Sequence, residues 1–205
     1  MEYKTVRGFA EAQLVEKKSR FIGYINHAAS EDEAWGFLTS IRQKHRDATH
    51  NVYAYVIKEN NINKFSDDGE PAKTAGAPVL DVINGCGLTN VIIVVTRYFG
   101  GTLLGTGGLV KAYQQSAKLA VEAAKVVTMT ESVRGVMTLP YTYWGKLEKL
   151  LSERDCINED IQFANDISVS FICRKNSFDS LREEIINLTN GNVVPEATDS
   201  FFYGF

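Results

Sequence analysis

The run Arg97-Tyr98-Phe99-Gly100-Gly101-Thr102-Leu103-Leu104-Gly105-Thr106-Gly107-Gly108-Leu109-Val110-Lys111 joins an apolar strand, Val91 to Val95, to a helical pattern that starts near Leu109. Five of the chain's 16 glycines lie in it, between Gly100 and Gly108. Backbone N–H groups at a helix start are unpaired, and the helix dipole favours negative charge there. Glycine adopts positive φ and lets a ligand approach the backbone. The chemistry on offer is anion holding, with Arg97, Tyr98 and Lys111 alongside and Thr102 or Thr106 capping N–H groups or meeting a ligand oxygen. The competing reading is a tight strand-to-helix turn in which small residues let elements pack. Neither nucleotide fingerprint is present. Gly100 and Gly105 have the P-loop gap, but Thr106 follows where lysine is required, and GxGxxG is absent.

The second chemical segment is Ser66-Asp67-Asp68-Gly69-Glu70-Pro71-Ala72-Lys73-Thr74-Ala75-Gly76. Asp67, Asp68 and Glu70 could hold a hard cation through oxygen ligands, or cap the turn and pair with Arg97 or Lys73. The spacing is not that of an EF-hand. A structural turn, or a polar rim around the anion site with Lys73 and Thr74, is the expected use, and no metal or cofactor is expected. The histidines (His27, His45 and His50) show no third partner for a metal or a general base, so His50 is expected in a hydrogen-bonded structural role. No GxSxG elbow is present, and Cys86 has no evident thiolate-stabilising base. No catalytic residue is assigned.

These segments need elements to position them. Tyr3–Val6, Ala12–Val15, Ser19–Ile25, Asn51–Ile57 and Val91–Thr96 read as strands, and 58–68 as a polar loop. Ser30-Glu31-Asp32-Glu33 is a capping box ahead of a helix to about Lys44. Pro78 and Gly85 bracket a short buried helix. Leu109, Ala112, Tyr113, Ser116, Ala117, Ala120 and Ala124 form the face of a long one. The order implies a two-layer α/β domain over residues 1–130. Residues 131–205 then read strand (Val133–Leu139), helix (Trp144–Glu153), strand (Cys156–Phe163), strand (Ile167–Cys173), helix (Phe178–Leu188), strand (Asn192–Phe202). This βαββαβ order is the ferredoxin-like arrangement, so the fold class is α+β.

Bulk properties narrow the function classes. At 205 residues and 44% hydrophobic content the chain suits two globular domains. Its longest aliphatic run, Val91–Val95, is too short for a bilayer span, and Met1–Val6 has no signal-peptide core. Three widely spaced cysteines fit reduced thiols in a cytoplasm. A net charge of −3 argues against a strongly basic nucleic-acid binder. The charge is divided, however: residues 1–130 carry 15 Lys+Arg against 13 Asp+Glu, and residues 131–205 carry 7 against 12. A phosphate-rich partner is therefore expected at the first domain, while the acidic second could face solvent or a basic protein.

The two segments also carry a likeness. Asp67-Asp68-Gly69-Glu70-Pro71 with Thr74-Ala75-Gly76, then Thr96–Gly101, Leu104–Leu109 and Lys111-Ala112-Tyr113, closely resemble the YigZ/IMPACT family. Lys17-Lys18-Ser19-Arg20-Phe21 and Thr49-His50-Asn51 with Tyr53-Ala54-Tyr55 resemble its other signature stretches. Lys73 departs from the pattern, which has a small residue there. The resemblance spans the chain and implies a ribosomal-protein-like N-terminal domain, also found in elongation factor G. It implies a C-terminal domain like that factor's last one. Eukaryotic members regulate translation by binding an activator of an amino-acid-starvation kinase. The expectation is thus a translation-associated binding protein in the cytoplasm, meeting RNA, the ribosome or a translation factor, with no membrane partner. The alternatives are a metal-assisted enzyme on a phosphorylated or nucleotide substrate, and a protein-interaction module using the acidic second domain.

Overall fold

Val91 to Thr96 is buried at every position, so both faces of that strand must be covered. The computed structural model, which describes residues 2–205, covers both. Tyr3–Thr128 forms one unit, and Met129–Phe205 together with Glu2 forms another. The elements of the first part are β1 (Glu2–Val6), β2 (Ala10–Glu16), β3 (Ser19–His27), α1 (Glu31–Lys44), β4 (His50–Ile57), β5 (Ile62–Ser66), α2 (Gly76–Gly85), β6 (Val91–Tyr98) and α3 (Thr106–Ala123).

The sheet order is β2-β3-β6-β4-β5, with every neighbouring pair antiparallel. One face carries Phe21, Ile25, Val52, Ala54, Ile93 and Val95 against α2 and α3. The other carries Ile22, Tyr24, Tyr55, Ile57, Ile92 and Val94 against Ala34, Leu38 and Ile41 of α1. The first unit is therefore three layers, helix–sheet–helices, and not the two expected. A strand apolar on both faces demands that outcome, because either face left bare would expose aliphatic surface.

Capping follows the sequence. Ser30 Oγ accepts from Glu33 N, and Glu33 reaches back to Ala29 N. Residues 58–68 are not a loop throughout. A 3₁₀ turn at Glu59–Asn61 leads into β5, which pairs with β4 from Ile57↔Ile62 to Tyr53↔Ser66. β5 is an exposed edge strand, so its polar sequence hides the pairing that β4 provides. α3 begins at Thr106, three residues before the apolar face becomes readable.

The second part contains β7 (Val126–Leu139), α4 (Tyr141–Glu153), β8 (Ile157–Phe163), β9 (Ile167–Arg174), α5 (Phe178–Leu188) and β10 (Glu196–Gly204). β7 pairs with β9 and with β10, and β9 with β8, all antiparallel, and β1 also lies along β7, giving a five-stranded sheet of order β1-β7-β9-β8 with β10 paired to β7 as well. Val133, Met137, Val169, Phe171 and Cys173 alternate onto the face that packs with Leu147 and Leu151 of α4 and Leu181 and Ile185 of α5. On the other face Arg134 pairs with Glu159 and Asp199. The chain is thus α+β, with an α/β first unit and a sheet-rich second unit.

Candidate functional site

Strand register decides which side chains meet. The β3–β6 ladder sets Phe21 opposite Arg97, and the β4–β6 ladder sets His50 opposite Arg97 on its other side. Directly opposed residues share a face, so Phe21, Arg97 and His50 form one row under α2 and α3. Tyr98, one residue on, points to the opposite face. There it accepts from His45 Nδ1 at 2.8 Å, donates to Asp47 at 3.1 Å and lies under the Arg20 guanidinium. The expectation that Tyr98 joins Arg97 in one site therefore fails, for the plain reason of strand alternation.

Arg97 is only 5% exposed. Its Nη1 donates to Glu70 Oε1 at 2.5 Å, and the Tyr113 hydroxyl of α3 donates to the same oxygen at 2.7 Å. Nη2 reaches Ser19 Oγ at 3.4 Å, and the guanidinium stands beside the rings of Phe21 and Phe99. Burial, and then the Glu70 charge, hold the Tyr113 hydroxyl far above the usual tyrosine range, so it stays a donor. Arg97 Nε is buried without a partner among the described residues. An orphaned guanidinium donor is costly, and such a group in a native cleft calls for a reason.

The Asp67–Thr74 segment serves largely as framework. Asp67 accepts backbone N–H bonds from Lys73, Ala75 and Gly76, and so caps the start of α2 from a distance. Asp68 accepts from Asn51 N and pairs with Arg42. Thr74 Oγ1 donates to the Pro71 carbonyl. Lys73 is exposed, with φ 61°. Glu70 alone of the three carboxylates faces Arg97. Among the described residues no three His, Cys, Asp or Glu side chains gather as a metal site.

His50 is a member that sequence reasoning left as structural. Its Nδ1 lies 2.7 Å from the Asp68 carbonyl, which only accepts, so Nδ1 carries a proton. Nε2 lies 3.8 Å from Glu70 Oε1. Only the β4 register, absent from any local motif, brings it beside Arg97.

The glycine run divides among several tasks. A Cβ on Gly100 would sit 2.1 Å from the Lys18 carbonyl oxygen, so glycine is required for the run to pass the β2–β3 turn. Gly105, at φ 73° and ψ 167°, turns the chain into α3 without a side-chain cap. Among the described residues none accepts from the N–H groups of Thr106, Gly107 and Gly108; the first intrahelical bond is Leu109 N to Gly105 O. Gly101 and Gly107 are exposed.

A cleft of about 440 Å³ brings part of this together. Arg97, His50, Glu70, Gly105 and Thr106 line its polar side; Phe99, Leu103, Leu104, Leu109 and Pro71 line its apolar side. Lys111 does not reach it. With Gly108 it lines a second groove, of about 470 Å³, on the other side of Leu104. The expected Arg97–Lys111 cradle is therefore two adjacent depressions, separated by the start of α3.

A three-layer unit with a polar row at one sheet end, followed by a unit built on a second five-stranded sheet, defines a two-domain α+β class. Residues 17–121 match the Impact N-terminal domain, and residues 137–192 match a domain of unknown function, DUF1949. The IMPACT family member YvyE of Bacillus subtilis is 37% identical over 190 residues, covering 92% of this chain and 88% of its own. The IMPACT family member YigZ of Escherichia coli is 40% identical over 151 residues, 71% of this chain and 74% of its own. A crystal structure of a hypothetical protein superposes with a TM-score of 0.62 at 29% identity, over 97% of this chain and 98% of that one. The chain belongs to the IMPACT family. Among the described residues no helix is long and apolar enough to cross a membrane.

Proposed function

We propose that this is a translation-related regulatory protein whose first unit binds a phosphate-bearing ligand, RNA in particular, at the cleft beside the start of α3. The observation that carries the reading is a convergence. Thr106, with its free N–H at the start of α3, and the buried Arg97, with one donor unpaired, border the same cleft, and the free N–H groups of Gly107 and Gly108 belong to the same first turn. Each favours an anion, and together they are preorganised for one. The translational context comes from the family likeness, and the ribosome or a translation factor is the partner it implies. Four of the five strands of the second sheet, β10-β7-β9-β8, follow a ferredoxin-like order, with β1 added along β7, which supports that topology for the second unit. A ribosomal-protein-like fold is the corresponding reading of the first.

Gly107→Asp tests the site. Gly107 is exposed, and an added Cβ meets nothing within 4 Å. A carboxylate in the first turn stabilises a helix by about 0.3–1 kcal/mol while repelling a bound anion. The variant should melt no lower than wild type and lose binding to a fluorescent RNA oligonucleotide in an anisotropy titration. Unchanged RNA binding by a folded variant overturns the reading.

A further inference from the structure

The groove beyond Leu104 has no part in the site as built so far. Lys17, Lys111 and Lys118 line it, and all three are exposed. Lys111, Gln115 and Lys118 recur at helical spacing, so they present one face of α3, and Gln114 adds a further amide. Lys17 comes from the facing β2–β3 turn, whose two central residues, Lys17 and Lys18, have φ 44° and 67°. Glu16 is the one carboxylate in the lining. Leu14 and Leu104 supply an apolar floor. Leu104 lines both depressions, and the α3 start contributes Thr106 to the first and Gly108 to the second.

We infer that the two depressions form one continuous track for a single-stranded RNA. One phosphate would sit on the α3 N-terminus beside Arg97, and its neighbours would cross Leu104 to Lys111, Lys118 and Lys17. This rests on the proposed anion site and names its ligand as an extended polyanion instead of a small phosphorylated molecule. Three observations carry it. The cations stand on two facing elements, which suits a backbone laid between them. Their groove adjoins the anion-seeking helix start without an intervening carboxylate beyond Glu16. The rim of the first cleft offers Phe99, 47% exposed, as a face on which a base can stack. An acidic protein segment would satisfy the lysines but would leave that exposed ring unused.

The experiment compares full-length wild type with Lys17→Gln/Lys111→Gln/Lys118→Gln, a surface triple variant that leaves both cores intact. Each is titrated with a single-stranded RNA oligonucleotide across a salt series, with AMP, and with polyglutamate. Counterion release of about 0.7 per phosphate contact predicts that the log–log salt slope falls by about 2 in the variant. Between 50 and 200 mM salt, wild type should then lose about 20-fold more affinity than the variant does. AMP, which reaches only the first cleft, should bind both alike. An unchanged RNA slope with AMP binding retained overturns the track and leaves the anion site standing. RNA binding that responds to the lysines but not to Gly107→Asp keeps the groove and removes the anion site. Polyglutamate binding as tight as RNA at equal charge overturns the RNA assignment in favour of an acidic protein segment.

Discussion

Arg97 and Glu70 show how far a single buried pair constrains this protein. Both are nearly closed to solvent, and Tyr113 adds a third group to the same carboxylate oxygen. Removing one charge leaves the other buried and unpaired, at about 3–5 kcal/mol. Arg97→Met should therefore lower the urea midpoint sharply, so loss of ligand by that variant cannot separate binding from folding. His45 makes a different prediction. Tyr24 donates to its Nε2 at 2.6 Å, while its Nδ1–H donates to Tyr98, which in turn donates to Asp47. Burial first, then the nearby charges of Lys44 and Arg20, lower its pKa. The unfolded chain then binds the extra proton more readily than the fold does. Stability conferred by neutral His45 is present above the unfolded value of about 6.5 and falls as pH drops below it, until the folded pKa is passed. Urea midpoints at pH 7.5 and 5.5 should differ more for wild type than for His45→Gln.

At the scale of elements, α2 and α3 start in opposite ways. The first turn of α2 is tied down by Asp67, which takes three backbone N–H groups from the loop and the helix start. That of α3 has no cap at all. One carboxylate thus serves architecture where the other helix start is left uncapped. Asp67→Ala should cost about 2 kcal/mol, the upper range for a lost cap, measured by urea unfolding. The N-cap of α1, the alternation of β9 and the span of α5 were all legible, since each is local. β5 was not, because an exposed edge strand carries no apolar period and exists only through β4. Nor was the separation of Arg97 from Lys111. Fourteen residues apart in a glycine-rich run, they look like neighbours until the α3 axis turns one into the cleft and the other away.

For the molecule as a whole, the two units have separate cores, one built on both faces of a five-stranded sheet and one on a single face. Phe171 lies at the centre of the second core, fully buried, with its ring against Gly135. Phe171→Ala should remove about 3–5 kcal/mol from that unit. A fluorine label on Trp144, which packs on the same core, would report the lowered midpoint directly. Charge is divided at the same scale. The first unit holds the lysines and the open helix start, and the second holds the acidic excess. The RNA binding proposed above therefore falls to the first unit on charge alone.

From the sequence alone came the class, the family likeness, the cap of α1 and the place of the proposed anion site, because these rest on local spacing and on glycine's conformational range. Tertiary structure decided the membership of that place. Registers across β3, β6 and β4 put His50 and Phe21 beside Arg97 and sent Tyr98 to the other face. A buried apolar strand required helices on both sides and made the first unit three layers. The fold also tied Asp67 and Asp68 into backbone and left Glu70 as the partner of Arg97. Those outcomes depend on residues far apart in the chain competing for the same donors and the same surfaces, and no local pattern records that competition.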